Sequence, residues 1–511
     1  MQTHRMPLLG MALGAFCAIP LAQQTVTPFA NPEALDLTQA SLQTIDVPAD
    51  PVGWFRFEVD LDGTPFEVSL NQHSLRSQEF QLLVQGEDGS FSSVTPAPVR
   101  TYRGGLFGVP GSTVAASLRE DGVHALVRLN DRIFGIQPAP GVPGRHAVYD
   151  VADTVERDVS CGVPGSGPSA HDLRAHGAAS GASGADGGGS ANEVVQIGVD
   201  SDNQFYLDQG SSVPASQAEI ESIMNAVEAI YDDDVDVVFE LTVIIIRTFE
   251  PDPYLGDIFD RLDDLMGLWN DELAAVPADI AHLFTGLGVG SGVIGVAYLN
   301  AVCDEEFNYG ASDVEFTSNF TTKVGLVAHE LGHNFGANHC DSTSDCAIMC
   351  SFIAGCDPDI TSFGTQAKNE INAFTSGIGC LSTPGACGPV SYGLAAGNTT
   401  SLAANGSASP GSNLQLVYAN PITAPSTAFS GISAGSDSLA FGPGTALIDL
   451  DAVAVITPGV SFNDTFEAET ENVAIPDFAG LVGQTFYIQA AHASGGGLTE
   501  LSNGVAVTIC P

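Results

Sequence analysis

From Trp54 to about Asp150, apolar and polar residues alternate, as in Trp54-Phe55-Arg56-Phe57-Glu58-Val59 and Phe66-Glu67-Val68-Ser69-Leu70, with breaks at Asp62-Gly63 and Asp88-Gly89. A period of two broken by Asp-Gly turns predicts a β-rich unit. From Gly162 to Ala191 the pattern disappears and Gly, Ala and Ser dominate. Such a stretch cannot bury enough apolar surface to offset its ordering entropy, so a flexible, protease-accessible linker is expected. Strand and helix patterns then alternate. Val194 to Phe205 reads as a strand, Ala215 to Tyr231 as an amphipathic helix with Pro214 near its start, and the Val- and Ile-rich run Val237 to Ile246 as a central buried strand. Pro253 to Leu273, with Ile258, Leu262, Leu265 and Leu268 at helical spacing, adds a second helix. Ala281 to Thr285 and Val293 to Leu299 read as strands, Lys323 to Phe335 and Gln366 to Phe374 as helices, and the whole as an α/β layer arrangement. From Gly385 onward short strands lie among Gly, Ser, Thr and Pro, with Thr485 to Ala491 and Gly504 to Ile509 the clearest, which predicts a β-sandwich.

At 511 residues the chain is too long for one core. The patterns divide it into a leader at 1–22, a β-rich unit at 23–161, the linker at 162–191, an α/β unit at 192–384 and an all-β unit at 385–511. The leader has a basic start, an apolar run from Met6 to Leu21 and a small residue at Ala22, the form of a secretory signal peptide. No later run is apolar enough to span a bilayer, since Val235 to Phe249 is interrupted by Asp236, Glu240 and Arg247. A secreted, extracellular protein is expected. With 15 Lys+Arg against 61 Asp+Glu the formal net charge is -46, a field that repels phosphate backbones and argues against nucleic acid as a partner. Most of this acid reads as a solubilising surface. A few carboxylates could hold a structural Ca²⁺, although no EF-hand-like spacing occurs. Asn319, Asn398, Asn405 and Asn463 head Asn-x-Ser/Thr triplets, which matter only in a host that glycosylates exported proteins.

The chemistry is concentrated between His329 and His339. His329 and His333, four apart, project from one helical face and can reach one ion. Gly336, three residues later, lets the chain turn out of the helix and bring His339 round as a third ligand. Three neutral imidazoles leave one tetrahedral position open, the arrangement of a catalytic zinc. Glu330 is too close in sequence to His329 to bind comfortably beside it and can instead act on water as general base. A bare His-Glu-x-x-His arises by chance on ordinary helices. The added Gly336, His339 and Cys346-Ala347-Ile348-Met349 make chance a poor account.

This stretch resembles the HExxHxxGxxH motif of the metzincin clan of zinc metalloproteases, and Met349 resembles the methionine of its Met-turn. Within the clan the likeness is to the adamalysin or reprolysin (ADAM-like) family. Val293 to Leu299 followed by Cys303 resembles its edge strand and the cysteine ahead of the zinc helix, and Asp279 to Gly286 the strand before it. Tyr102-Arg103-Gly104, Ser112 to Ala115 and Tyr149 resemble the family's propeptide, so the likeness spans roughly residues 54 to 380. Cys340 departs from the Asp that usually follows the third histidine. Ser160-Cys161-Gly162-Val163 resembles the Cys-Gly-Val of an inhibitory cysteine switch but lacks the residues that usually precede it.

The resemblance implies a zinc-dependent endopeptidase made as a latent zymogen, with zinc on His329, His333 and His339 and with Glu330 moving the proton from water to the leaving amine. Extended protein segments would lie along Gly292 to Leu299 by β-augmentation, with side-chain preference set by a pocket behind His333 and after Met349. Once Cys17 leaves with the leader, nine of the ten cysteines remain, so at least one thiol is left over. Cys161 is the candidate, as the zymogen's fourth zinc ligand, the alternative being a disulfide with some other partner. The remaining eight would then pair as Cys303 with Cys380 by resemblance, two bridges of open connectivity among Cys340, Cys346, Cys350 and Cys356, and Cys387 with Cys510. Cleavage in the linker would release the switch. The alternative is a secreted binding or adhesion protein whose zinc domain is a scaffold, against which the intact Glu330 argues. A zinc hydrolase acting on something other than peptides is a second rival, against which the edge strand argues.

Overall fold

A computed structural model of the chain describes residues 26–48, 53–162 and 193–381, apart from 110, 275, 289–291 and 305, and most of the strands between 388 and 509. The leader, the linker from 163 onward, Cys387, Cys510, Asn398 and Asn463 lie outside the described residues.

The alternating N-terminal segment forms a nine-stranded antiparallel sheet, in the spatial order Thr27–Pro28, Ser41–Gln43, His146–Asp150, Arg132–Pro138, Gly122–Leu129, Thr113–Arg119, Thr101–Leu106, Thr64–Gln72, Trp54–Leu61. Asp62 and Gly63 both take positive φ (53° and 82°), as a two-residue turn matched to strand twist requires. Phe55, Phe57, Val59, Val68 and Leu70 point from this sheet into one core.

One hairpin leaves that sheet and joins the next. The central sheet contains β1 (Arg76–Gln85), β2 (Phe91–Val94), β3 (Ser160–Cys161), β4 (Glu193–Ser201), β5 (Val237–Arg247), β6 (Ile280–Thr285), β7 (Val293–Ala297) and β8 (Tyr309–Asp313). Its spatial order is β3-β7-β8-β6-β4-β5-β1-β2. The β7–β8 and β1–β2 pairs are antiparallel and the others parallel. Five helices accompany it: α1 (Asn203–Asp208), α2 (Val213–Val235), α3 (Ile258–Glu272), α4 (Phe320–Asn334) and α5 (Thr365–Thr375). Alternate residues of β5 enter different cores, Ile244 and Ile246 with α2 and α4, Val243 and Ile245 with α3. A strand buried on both faces has no polar side to show, which is why Val237 to Ile246 reads as an unbroken apolar run.

Several expected boundaries move for local reasons. The strand expected to reach Phe205 stops at Ser201, because the Asp202 carboxylate accepts from Phe205 N (2.7 Å) and caps α1. The helix expected from Pro253 starts at Ile258, where Asp257 and Asp260 form a capping box. The strand expected over Val293 to Leu299 ends at Ala297, and Asn300 adopts φ 56° with its amide donating to His333 O (3.0 Å). The strand β8, Tyr-Gly-Ala-Ser-Asp, has too little β-branched character to stand out in the sequence.

Beyond Gly388 one antiparallel sheet runs in the order Gly388–Tyr392, Gly497–Thr508, Thr485–Ser494, Ser426–Ser433, Val453–Ile456, with Val460–Phe462 also on Ser426–Ser433. A second holds Ser401–Asn405, Asn413–Ala419 and Ala468–Ala474. Leu402, Leu414, Leu416 and Tyr418 of the second pack with Ile488, Val505 and Val507 of the first in one core, a two-sheet sandwich. Among the described residues the disulfides are Cys303–Cys380, Cys340–Cys346 and Cys350–Cys356. Among the described residues no helix is long and apolar enough to cross a membrane.

Candidate metal centre

The helix α4 is set at both ends. Asn319, fully buried, caps it by accepting from Thr322 N (3.1 Å), and its own amide nitrogen donates to Leu35 O (2.8 Å). A glycan on Asn319 therefore has no place in the folded chain, whatever the triplet suggests. At the other end Ala337 N donates to Gly332 O (2.9 Å), Gly336 N donates to His333 O (2.8 Å), and Gly336 takes φ 88°. A Cβ there would be strained and would strike Asn300 Oδ1, so glycine is required for the turn that returns His339 to the helix.

Nδ1 of His329 meets Ile348 O at 2.7 Å, and Nδ1 of His333 meets Ala337 O at 2.7 Å. A carbonyl oxygen only accepts, so each Nδ1 carries the proton and each Nε2 presents a lone pair. Nε2 of His329 lies 3.0 Å from that of His333 and 3.1 Å from that of His339. Lone pairs from His329 and His333 held this close are accounted for by a cation between them. Ligands of one tetrahedral zinc at about 2.0–2.1 Å stand roughly 3.3 Å apart, close to what these rings adopt. Burial keeps the imidazoles neutral, the form that binds metal. It lowers the His329 pKa to about 3, with His339 alongside adding to the effect, and holds His333 well below its ordinary value.

Cys161, buried and outside any disulfide, places Sγ 3.4 Å from His333 Nε2 and 3.3 Å from Glu330 Oε2. The ligand atoms of Cys161, His329, His333 and His339 all lie within 4.8 Å of one another. Glu330 is fully buried, and its Oε1 has no hydrogen-bond partner among the described residues. Burial pushes its pKa up to about 8, and the hydrogen bond from Cys161 offsets part of that rise. The carboxylate fits only because β7 has a glycine opposite it: a Cβ on Gly295 would overlap Glu330 Oε1. Met349 is fully buried and packs under the helix at Gly332, where a Cβ would come 2.9 Å from its sulfur.

The cysteine arrives on β3, which fills the cleft. Ser160 N donates to Gly292 O (2.9 Å) and Gly162 N to Gly295 O (2.9 Å) on one wall, and Cys161 N donates to Ser351 O (3.2 Å) on the other. Val159 packs in an apolar cluster with Ile294, Phe316, Leu326 and Ile353. A small void beside β3 is lined also by His329, Cys350 and Ser351. The sequence reading missed Gly295 and also Asn334, whose amide nitrogen donates to Tyr298 O (2.9 Å) and Tyr309 O (3.0 Å) and ties α4 to the strands. A glycine inside a strand was the available signal for the first.

Residues 217–340 match the family described as metallo-peptidase family M12B, reprolysin-like. Among solved structures the chain is similar to metalloproteinase-II from Bacteroides fragilis, at 10% identity and a TM-score of 0.35, over 63% of this chain and 92% of that one. It is also similar to a chain in the structure of a chaperone–substrate complex, at 17% identity and a TM-score of 0.26, over 36% of this chain and 34% of that one. It thus spans 34% of the length of the latter.

Proposed function

We propose, from the match of residues 217–340 to the reprolysin-like metallopeptidase family M12B, that this chain is a secreted zinc endopeptidase made as a latent zymogen. Residues 23–161 are its propeptide, 162–191 the linker cut on maturation, 192–384 the protease and 385–511 an accessory domain. The observation that carries the reading is the meeting of three imidazole nitrogens and one sulfur beside a buried carboxylate. His329, His333 and His339 hold zinc, and Cys161 takes the fourth position until maturation. The metal, when bound, supplies a Lewis acid that polarises the scissile carbonyl and acidifies water. Glu330 accepts the proton of the attacking water and hands it to the departing amine, a task suited to a buried carboxylate beside the three imidazoles. The edge of β7, where β3 now sits, aligns an extended substrate by main-chain hydrogen bonds, and the apolar site that Val159 occupies beside Ile294 and Leu326 takes one side chain.

The test is Glu330→Gln, assayed on a protein substrate after proteolytic processing of the full chain that displaces β3 from the cleft. Hydrolysis should fall by about 10²–10⁴-fold, the usual worth of a positioned base, with zinc content unchanged. An active variant would overturn the assignment of Glu330, and a wild type that hydrolyses nothing would overturn the endopeptidase.

A further inference from the structure

Gly162 N donates to Gly295 O at 2.9 Å, so Gly162 occupies a main-chain position open to any strand added to β7 next to the metal centre. At that position a side chain has no room. A Cβ on Gly162 falls 2.5 Å from Phe259 Cζ, 2.8 Å from Phe259 Cε1 and 2.9 Å from Val293 Cγ1. Gly162 is not in the left-handed region, so glycine is needed here for space rather than for backbone conformation. Phe259 stands in the first turn of α3, where its amide donates to the capping Asp257 carboxylate (3.0 Å). Its ring packs, with Val293, against the core of Trp269, Leu262 and Val296. A methyl group requires a small shift of the ring, whereas a branched or aromatic side chain requires peeling it from that core. Cys161 next door touches Glu330 and His333, so this position flanks the reacting centre.

We propose that Phe259 is a specificity-determining residue which, with Val293, restricts the subsite now held by Gly162 to glycine and other small residues. The substrates are then extended segments with a small residue beside the scissile bond, on the side away from the apolar cluster that Val159 joins. This rests on the endopeptidase reading.

Two measurements test it. With the matured enzyme and a peptide library, kcat/KM should favour Gly or Ala over Leu or Phe by at least about tenfold at one position flanking the bond, and Phe259→Ala should narrow the ratio to within about threefold. Cleavage without that preference, or an unchanged preference in Phe259→Ala, overturns the proposal alone. No cleavage of any peptide overturns the endopeptidase and the proposal with it. In the intact latent chain, Gly162→Leu should speed labelling of Cys161 by a thiol reagent, and adding Phe259→Ala should reverse most of that gain. Equal labelling of all three chains would contradict the steric account without reference to activity.

Discussion

At the scale of single residues, the centre depends as much on absent side chains as on present ones. Glu330 keeps its position only because Gly295 has no Cβ, and Met349 packs tightly against Gly332. Gly295→Ala should therefore displace the carboxylate while leaving the histidines in place, and kcat/KM should fall at least about tenfold with zinc content kept. Full activity in Gly295→Ala would contradict the contact. The histidines, Glu330 and Gly336 were legible in the sequence because they sit within eleven residues and answer to one local rule, a helix followed by a sharp turn. Gly295, Val159 and Phe259 were not, since each acquires its role only when the fold brings a distant segment against it.

At the scale of elements, long apolar runs and capped helices were readable, and β8 was not, because its pairing between β6 and β7 comes from tertiary context. A buried histidine in the first sheet gives these elements a pH dependence. His146 Nε2 accepts a hydrogen bond from Val123 N (3.0 Å), which only the neutral ring can do, and burial lowers its pKa to about 4. Its folded value lies below the unfolded value of roughly 6.5, so its contribution is complete above pH 6.5 and is lost as pH falls through the folded value. The intact chain should lose up to roughly 3 kcal/mol from this group across that window, read as a falling Tm. His146→Gln, which keeps an acceptor but does not titrate, should lose less. A variant that tracks the wild type would contradict the linkage.

At the scale of the whole molecule, the first unit is built into the second. β1 extends the central sheet at β5, and Leu75, Leu82, Leu126 and Ile133 share the core of α2 and α4. Nine of the 15 basic residues fall between Arg56 and Arg157, and only four follow residue 193. Arg76 pairs with Glu221 (2.7 Å), Arg103 with Glu228 (2.9 Å) and Arg128 with Asp234 (3.0 Å), all carboxylates of α2. Separating the units would break all three pairs and expose the shared core at once. A single cut in the linker should thus leave both pieces together and the cleft filled, contrary to the simpler expectation that cleavage alone releases the switch. Gel filtration of a chain cut between residues 163 and 192 should give one inactive peak, and separation into two would contradict the interlock. None of this was visible in the alternation pattern, which gave the strands without their partners.

The claim on which the rest depends is that Cys161, His329, His333 and His339 hold one zinc ion in the intact chain. X-ray absorption at the zinc edge, on the intact, uncut protein, addresses it directly. The account predicts one sulfur at about 2.3 Å and three nitrogens at about 2.0 Å, with the sulfur lost but the zinc kept in Cys161→Ser. A chain that contains no zinc, or zinc without a sulfur neighbour before cleavage, would contradict it.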